Sequence, residues 1–313
     1  MVVRSSEAKT GNGHADCVHI HGIWSPCLAR QMRKWKSQGI PMVVSPHGML
    51  QPWARQHKRW KKALAWSLYQ RQLLNAANVL HATSTFEAEE FRKLGLRARV
   101  AVIPWGITLP TRESFMPRNS VGNDAMRTAL FVGRIYPVKG LLMLVRAWAL
   151  VRPKNWRMRV VGPDEAGHRA EVEALVQKLN LSDVFEFSGE LSGSAKQRAY
   201  AETDLFIAPS YTENFGMAIG EAMAHGLPVI TTQGTPWNIL REEGCGWWTA
   251  ISADGIAAAL KEATNRSGEE LQAMGQRGFE LVREKFTWQK TATDMKSVYE
   301  WMLGLGPQPD SFI

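Results

Sequence analysis

Three cysteines in 313 residues, Cys17, Cys27 and Cys245, are odd in number and widely spaced, and no Cys-x-x-Cys occurs. That pattern suggests reduced thiols of a cytosolic protein rather than a disulfide framework or a zinc site. No apolar run approaches the ~20 residues that span a bilayer. The N-terminus, MVVRSSEAKTGNGHADC, lacks the apolar centre of a signal peptide. No Asp-x-Asp presents paired carboxylates to a phosphate-bound metal ion, and no GxxxxGK[ST] forms a Walker loop. Internal repeats and low-complexity segments are absent as well.

What is present describes a globular α/β chain. Apolar residues make up 45% and charged residues 21%, the balance of a soluble domain. The length is too great for one ordinary core and suits two domains. Charge is divided unevenly: residues 1–115 hold 17 Lys/Arg and 6 Asp/Glu, a balance of +11, whereas the remainder balances at −2. A basic first half calls for an acidic partner, either a phosphorylated substrate, anionic lipid or nucleic acid. Nucleic acid is disfavoured, because the basic residues are not interleaved with a stacking platform or a known binding motif.

Short apolar strands alternate with helical stretches along the whole chain, the pattern of parallel βαβ units. In the first half the predicted strands are 17–20, 42–45, 79–82 and 100–103, with a basic helix at 27–37 and a long helix over 53–76. Residues 108–127 carry two prolines, small polar residues and no periodicity, which marks a linker. In the second half the strands are 129–132, 157–161, 184–187, 205–208 and 228–231, forming a doubly wound sheet. The expected division is a disordered tail at 1–15, a first Rossmann-like domain at 16–110, a linker at 111–127, a second domain at 128–287, and a terminal helical segment at 288–313 that returns to the first domain.

Two stretches of the second half carry chemistry. The first is Leu205 to Ile230, LFIAPSYTENFGMAIGEAMAHGLPVI, read as strand, polar loop, helix, turn and strand. Glu213 and Glu221 are eight residues apart, too far to share a proton as a dyad, but able to grip two ends of one elongated ligand. Between them a helix N-terminus sits at the carboxyl end of a parallel strand, where open α/β sheets bind ligands and unpaired N–H groups favour anions. The plainer alternative is an amphipathic helix with an exposed Glu221 and a loop Glu213. The second stretch is Phe131 to Gly140, FVGRIYPVKG, in which Gly133 permits close approach and Arg134 and Lys139 place two cations on one βα loop. It reads as an anion site or, more plainly, as a solvated edge.

Together, E-N-F-G-M-A-I-G-E and G-R-x-x-P-x-K-G resemble the retaining glycosyltransferases of family GT4, which have the GT-B fold: two Rossmann-like domains facing a cleft. The resemblance extends over roughly residues 16–303. It includes Val161-Gly-Pro-Asp164, Val184-Phe-Glu-Phe-Ser-Gly189 and Val102-Ile-Pro-Trp-Gly-Ile107, while Gly234-Thr-Pro-Trp237 and Gly244-Cys-Gly-Trp-Trp248 look like a subgroup of bacterial capsule and exopolysaccharide enzymes. By that resemblance Glu213 holds the donor sugar beside the reacting carbon, and Glu221 binds the ribose hydroxyls. Arg134 and Lys139 neutralise the leaving diphosphate. The backbone at Asn214, Phe215, Gly216 and Met217 faces sugar and phosphates, with Gly133 beside them, and the segment from Phe187 through Gly189 to Leu191 lies by the base. His47 points towards the transferred sugar. The implied donor is a UDP- or GDP-linked hexose, with no cofactor and no metal. The implied acceptor is a glycan or polyprenyl-diphosphate-linked sugar of surface polysaccharide synthesis, and the implied location is cytoplasmic, on the periphery of the inner membrane face. A non-catalytic, nucleotide-sugar-binding remnant is the alternative.

Two features qualify the resemblance. The helix over 53–76, WARQHKRWKKALAWSLYQRQLLNA, carries the basic cluster His57, Lys58, Arg59, Lys61 and Lys62. Trp60, Leu64 and Leu68 recur beside it at i+4. It is either a core helix with a solvated basic edge or a docking surface for anionic lipid and a lipid-linked acceptor. Measured against the family, the first domain lacks its opening βα units, with four strands where about seven are expected. Such a partial sheet predicts an unpaired edge and an uncovered apolar face, hence dimerisation or a covering partner. Asn214, where Gly is commoner, and Trp105, where Asn is commoner, are smaller departures.

Overall fold

The computed structural model of the chain describes residues 2–4, 15–56, 58–110 and 126–313. It separates into two compact units, one of residues up to Gly106 together with Trp288–Ile313, the other of Ile107–Thr287. Of the expected linker, residues 111–125 lie outside the described residues, as do residues 5–14 of the expected tail.

The first unit is built on a parallel sheet in simple sequential order: β1 (Val2–Arg4), β2 (Val18–His21), β3 (Met42–Ser45), β4 (Val79–Ala82) and β5 (Arg99–Val102). The expectation of a disordered tail is thus corrected at Val2–Arg4, which pairs in parallel with His19–His21 as a fifth strand. Three residues give too short an apolar run to stand out in sequence. Strand alternation sends Val18, Ile20, Met42, Val44, Leu80, Ala82 and Val100 to one face, where they pack with Leu28, Met32, Leu74 and Phe91 from the helices. Val43, Val79, Ala101 and Ile103 face the other way and meet Val298 of the helix Trp288–Met302, with Met295, Tyr299, Trp301 and Met302 around them. The expected uncovered apolar face is therefore covered, by the returning terminal helix. The edge at β5 is also occupied: the Val102 N–H donates to Ser311 O at 2.8 Å, and the Ile313 N–H to Val100 O at 3.0 Å.

The single helix expected over 53–76 is interrupted. Pro52–Gln56 and Arg59–Ala65 are separate α-helices, Lys58 between them has a left-handed backbone (φ 54°), and Trp66–Gln70 is a π-helical turn before Arg71–Asn75. No Gly or Pro announces this break, so periodicity alone reads through it. His57 lies outside the described residues.

The second unit holds six parallel strands, β6 (Arg127–Val132), β7 (Trp156–Val161), β8 (Phe185–Gly189), β9 (Leu205–Ala208), β10 (Val229–Thr232) and β11 (Gly246–Thr249), in the spatial order β11-β10-β9-β6-β7-β8. The chain runs outward from β6 through β8, then returns to the other side of β6 with β9. That reversal is the topological switch point of a doubly wound sheet, where the loops at the strand carboxyl ends part to admit a ligand. β9 and β10 are buried at every residue. Such strands read as continuous apolar runs, which is why both are visible in the sequence. Behind β6 the helix Leu141–Val151 buries Leu144 and Trp148 in the main core with Ile207 and Leu260; each such aliphatic side chain contributes roughly 1.5–3 kcal/mol by burial.

Candidate active site

The two motif loops of the second unit meet at the switch point. The loop after β6 closes with a 3₁₀ turn, Pro137–Lys139, and Gly140 in a left-handed conformation (φ 72°) before the helix Leu141–Val151. A Cβ on Gly140 would stand 2.0 Å from Pro209 O in the loop after β9, so only glycine allows this approach. The Tyr211 N–H ties the loops together by donating to Val138 O at 2.8 Å, and the Glu213 N–H donates to Gly234 O at 2.9 Å.

This backbone brings Lys139 and Glu213 together. Lys139 Nζ donates to Glu213 Oε1 at 2.6 Å, with side-chain exposures of 19% and 16%, and Ser210 Oγ donates to the same oxygen at 2.7 Å. Screening by water is weak at that burial, so the pair carries more electrostatic weight than a surface ion pair. Gly133 lies beside it, where an added Cβ would sit 3.9 Å from Lys139 Cε. Past Glu213, Asn214 is half-buried and Phe215 is buried against Trp237, whose Nε1–H donates to Phe215 O at 2.5 Å. Gly216 (φ 85°) then turns the chain into the helix Met217–Ala224, leaving Met217 exposed at its first residue.

Glu221, on that helix, has its own partners. Lys196 Nζ approaches Glu221 Oε2 at 2.7 Å, and the Tyr200 hydroxyl donates to it at 2.8 Å. Burial and the Glu221 charge raise the Tyr200 pKa well above the usual phenol range, which keeps that hydroxyl a donor. Glu213 and Glu221 are therefore two separately anchored acids rather than one shared-proton pair. Arg134 does not join Lys139: it is exposed, pairs with Glu165 and lies 5.8 Å from the Tyr136 ring. Gly189 ends β8 in a left-handed conformation (φ 69°), accepting from the Gly162 N–H at 2.7 Å, with Leu191 half-buried just beyond. Sequence reasoning missed Ser210, Lys196, Tyr200 and Glu165. Lys196 and Tyr200 stand at i,i+4 on the helix Gly193–Ala201. That spacing puts them on one helix face, but only the packed structure shows which carboxylate the face meets.

In the first unit His47 sits in a left-handed turn (φ 53°) after β3. The buried Glu87 fixes that turn, accepting from the Gly48 N–H at 2.7 Å and the Thr83 N–H at 2.9 Å. His47 is one member of a histidine network. Its Nε2 faces His21 Nδ1 at 2.8 Å, and its ring stacks 5.2 Å from Trp105. His19 bridges Tyr299 (2.5 Å) and Ser45 (2.7 Å), and Ser45 meets His81 Nδ1 at 2.7 Å. Burial, with neighbouring histidines adding to it, lowers the pKa of His47 to about 4 and that of His19 still further. His47 is thus neutral at pH 7, and its Nδ1 is buried without a hydrogen-bond partner among the described residues.

The exposed apolar ridge of the first unit also has a place. Trp60, Leu64 and Leu68 are 68%, 54% and 63% exposed. The reading of that stretch as a core helix with a solvated basic edge is corrected: Leu73 and Leu74 are buried in the core and Trp66 and Tyr69 pack against it, but the helices Pro52–Gln56 and Arg59–Ala65 bury no residue.

Two parallel-sheet α/β units, the second with a switch-point acid–cation cluster, define a chain of the GT-B class. Comparisons with known proteins agree. A profile described as glycosyl transferases group 1 matches residues 115–281, and a glycosyl transferase 4-like domain matches residues 10–106. The chain belongs to the group 1 glycosyltransferase family. It is 30% identical over 340 residues to D-inositol 3-phosphate glycosyltransferase of Actinosynnema mirum, covering 95% of this chain and 75% of that protein. It is also 30% identical over 248 residues to GDP-mannose:cellobiosyl-diphosphopolyprenol alpha-mannosyltransferase of Xanthomonas campestris, covering 78% of this chain and 63% of that protein. Among solved structures, sucrose-phosphate synthase from Thermosynechococcus elongatus superposes with a TM-score of 0.75 at 23% identity, over 92% of this chain and 74% of that one. Anabaena Alr3699/HepE in complex with UDP and glucose gives 0.75 at 20%, over 91% and 78%. At these identities the solved structures speak for the fold alone.

Proposed function

We propose that this chain transfers a hexose from a UDP- or GDP-linked donor, with retention and without a metal ion, to a glycan or polyprenyl-diphosphate-linked acceptor in surface polysaccharide synthesis. The observation that carries the reading is the half-buried Lys139–Glu213–Ser210 cluster at the switch point. Departure of a nucleoside diphosphate builds negative charge on a phosphate oxygen. A fixed ammonium beside two helix N-termini is suited to neutralise it. Arg134 is held only by a surface pair worth about 0–1 kcal/mol, so turning it towards a diphosphate costs little. Glu213 would hold the sugar hydroxyls and Glu221 the ribose. The acceptor attacks on the leaving-group side, assisted by the departing phosphate. The name of the Xanthomonas relative supports a nucleotide-sugar donor and a diphosphopolyprenol-linked acceptor. No helix of the described residues is long and apolar enough to cross a membrane. The exposed ridge of Trp60, Leu64 and Leu68 is what supports a reaction at the cytoplasmic surface of one.

A panel of UDP- and GDP-hexoses tests this. One donor should raise the unfolding free energy by about 2.7 kcal/mol at 100 times its dissociation constant. The same donor should be turned over without added divalent metal and in the presence of chelator, giving a product of unchanged anomeric configuration. A panel that neither stabilises the chain nor is consumed overturns the reading, as would a covalent glycosyl adduct on Glu213 for the same-face mechanism.

A further inference from the structure

A cavity in the first unit takes in Arg59 and Lys62 of the basic cluster and none of the residues assigned to the donor. It measures about 400 Å³ and is lined by Trp24, Arg55, Arg59, Lys62 and Trp66, with Pro52 and Ser67 at its margin. Its walls are held in place by backbone conformations that have to be enforced. Trp24 adopts φ 76°, a left-handed value that a bulky residue seldom takes without compensation. Three contacts impose it: the Trp24 N–H donates to Gln70 Oε1 at 3.0 Å, its Nε1–H to Met49 O at 3.3 Å, and the Tyr69 hydroxyl donates to Trp24 O at 3.3 Å. Gln70 and Tyr69 reach Trp24 from the π-helical turn Trp66–Gln70, and the same turn sets Trp66 against Trp24 with ring centroids 6.3 Å apart. π-turns of this kind recur at functional sites.

Among the described residues, no carboxylate forms an ion pair with Arg55, Arg59 or Lys62 of this cavity. Residues 17–86 contain ten Lys/Arg and no Asp or Glu. The first carboxylate after them, Glu87, is buried under the His47 turn. Arg55 lines the cavity, and its Nε is buried without a hydrogen-bond partner among the described residues. Lys62 donates to Ala54 O at 2.5 Å and lies 5.7 Å from the Trp24 ring, so neither contact neutralises it. Partial burial and the nearby Lys58 lower the Lys62 pKa, the direction expected of a cation packed among cations. Two guanidiniums and an ammonium around one cavity, with an N–H left over, match the tetrahedral oxygens of a phosphate or diphosphate ester, and two indoles give its organic portion a surface. Trp60, Leu64 and Leu68, on the same helical stretch as Arg59, Lys62 and Trp66, are exposed.

We propose that the Arg55–Arg59–Lys62 cavity binds the phosphate or diphosphate ester of an acceptor-side ligand. As an account of the acceptor it rests on the transferase reading; as an anion site it stands by itself. Soluble diphosphate esters and lipid headgroups share this chemistry.

Titration calorimetry with inorganic diphosphate and with farnesyl diphosphate tests it, using the full chain with the donor site saturated by the nucleoside diphosphate that binds it best. Arg55→Gln/Arg59→Gln should weaken both probes at least tenfold and leave nucleotide-sugar affinity unchanged. Lys62→Gln serves as a milder variant should the double substitution impair folding, and should weaken them severalfold. Lys139→Ala should leave both affinities intact. Flotation with phosphatidylcholine vesicles, with and without phosphatidylglycerol, separates the sources. Binding to anionic vesicles that is lost in Arg55→Gln/Arg59→Gln assigns the cavity to a lipid headgroup; tight farnesyl diphosphate binding without flotation assigns it to a free ester. Wild-type diphosphate affinity in folded Arg55→Gln/Arg59→Gln and in Lys62→Gln, or its loss in Lys139→Ala, overturns the proposal. Should no nucleotide sugar bind while the cavity still takes diphosphate, the transferase reading falls and the anion site stands.

Discussion

On the proposed transfer, Lys139→Ala should lower donor turnover by about two to three orders of magnitude, the cost of removing one preorganised electrostatic donor from a site that stabilises developing charge. Two features of the structure put the effect in the chemical step. Lys139 is 2.6 Å from Glu213 on a loop locked by Gly140 against Pro209 O, so no reorganisation is needed as charge develops. The pair is also largely shielded from water, where each charge acts over a greater distance. Because the charge on the departing phosphate grows towards the transition state, kcat and kcat/KM should fall together. Lys139→Arg keeps the charge but loses the point-like fit to Glu213 and Ser210, so it should recover only part of the loss. Steady-state donor hydrolysis or transfer reads all of this. A change confined to KM would mean that Lys139 merely helps to bind the ground state.

Acid destabilises the first unit through its histidine network, and this effect should be almost as large. The groups facing one another are His19, His21, His47 and His81, with Ser45, Tyr299 and Trp105 between and around them, and among the described residues no carboxylate is hydrogen-bonded to His19, His47 or His81. Burial lowers the His81 pKa from 6.5 to about 4, against a bond to Ile103 O that raises it. A base whose folded-state pKa is depressed binds fewer protons folded than unfolded between those two values. Its contribution is therefore fully present above pH 6.5 and is lost as pH falls towards 4. For His81 alone that loss is on the order of 3 kcal/mol, and His19 and His47 act in the same direction. Denaturant midpoints measured from pH 7.5 to 4 should fall steeply below about 6.5, with protons taken up on unfolding. A flat profile would mean that the histidines are accessible to protons in the folded state.

How much of this was legible in the sequence follows from burial. β3, β4 and β9 are buried at every residue, and continuous apolar runs of that kind are visible without neighbours. β11, Gly246–Thr249, is only half-buried, so no continuous apolar run marks it as a strand. Glu213, Glu221 and Lys139 stand out in the sequence through the motifs that carry the family resemblance, and in the structure Lys139 pairs with Glu213 and Glu221 with Lys196 and Tyr200. Their partners Ser210, Lys196 and Tyr200 were not found, because those contacts join separate elements whose docking no local pattern encodes. The same is true of Arg134, whose pairing with Glu165 crosses from the loop after β6 to that after β7. The histidines show the limit most clearly. His19 and His21 alternate with Val18 and Ile20 as any strand would, yet their network exists only because β3, β4 and the terminal helix supply Ser45, His81 and Tyr299 to the same sheet face.

The most direct test of the donor clamp is calorimetric titration of the cognate nucleotide and its 2′-deoxy analogue into wild type and Glu221→Gln. Glu221, oriented by Lys196 and Tyr200, is assigned the ribose. Wild type should prefer the ribonucleotide by roughly tenfold or more, the worth of a hydrogen bond to a charged group at about 1.5–3 kcal/mol. Glu221→Gln should lose most of that preference while remaining folded. Equal discrimination by both proteins would contradict the assignment and, with it, the clamp built from Lys139, Glu213 and Glu221.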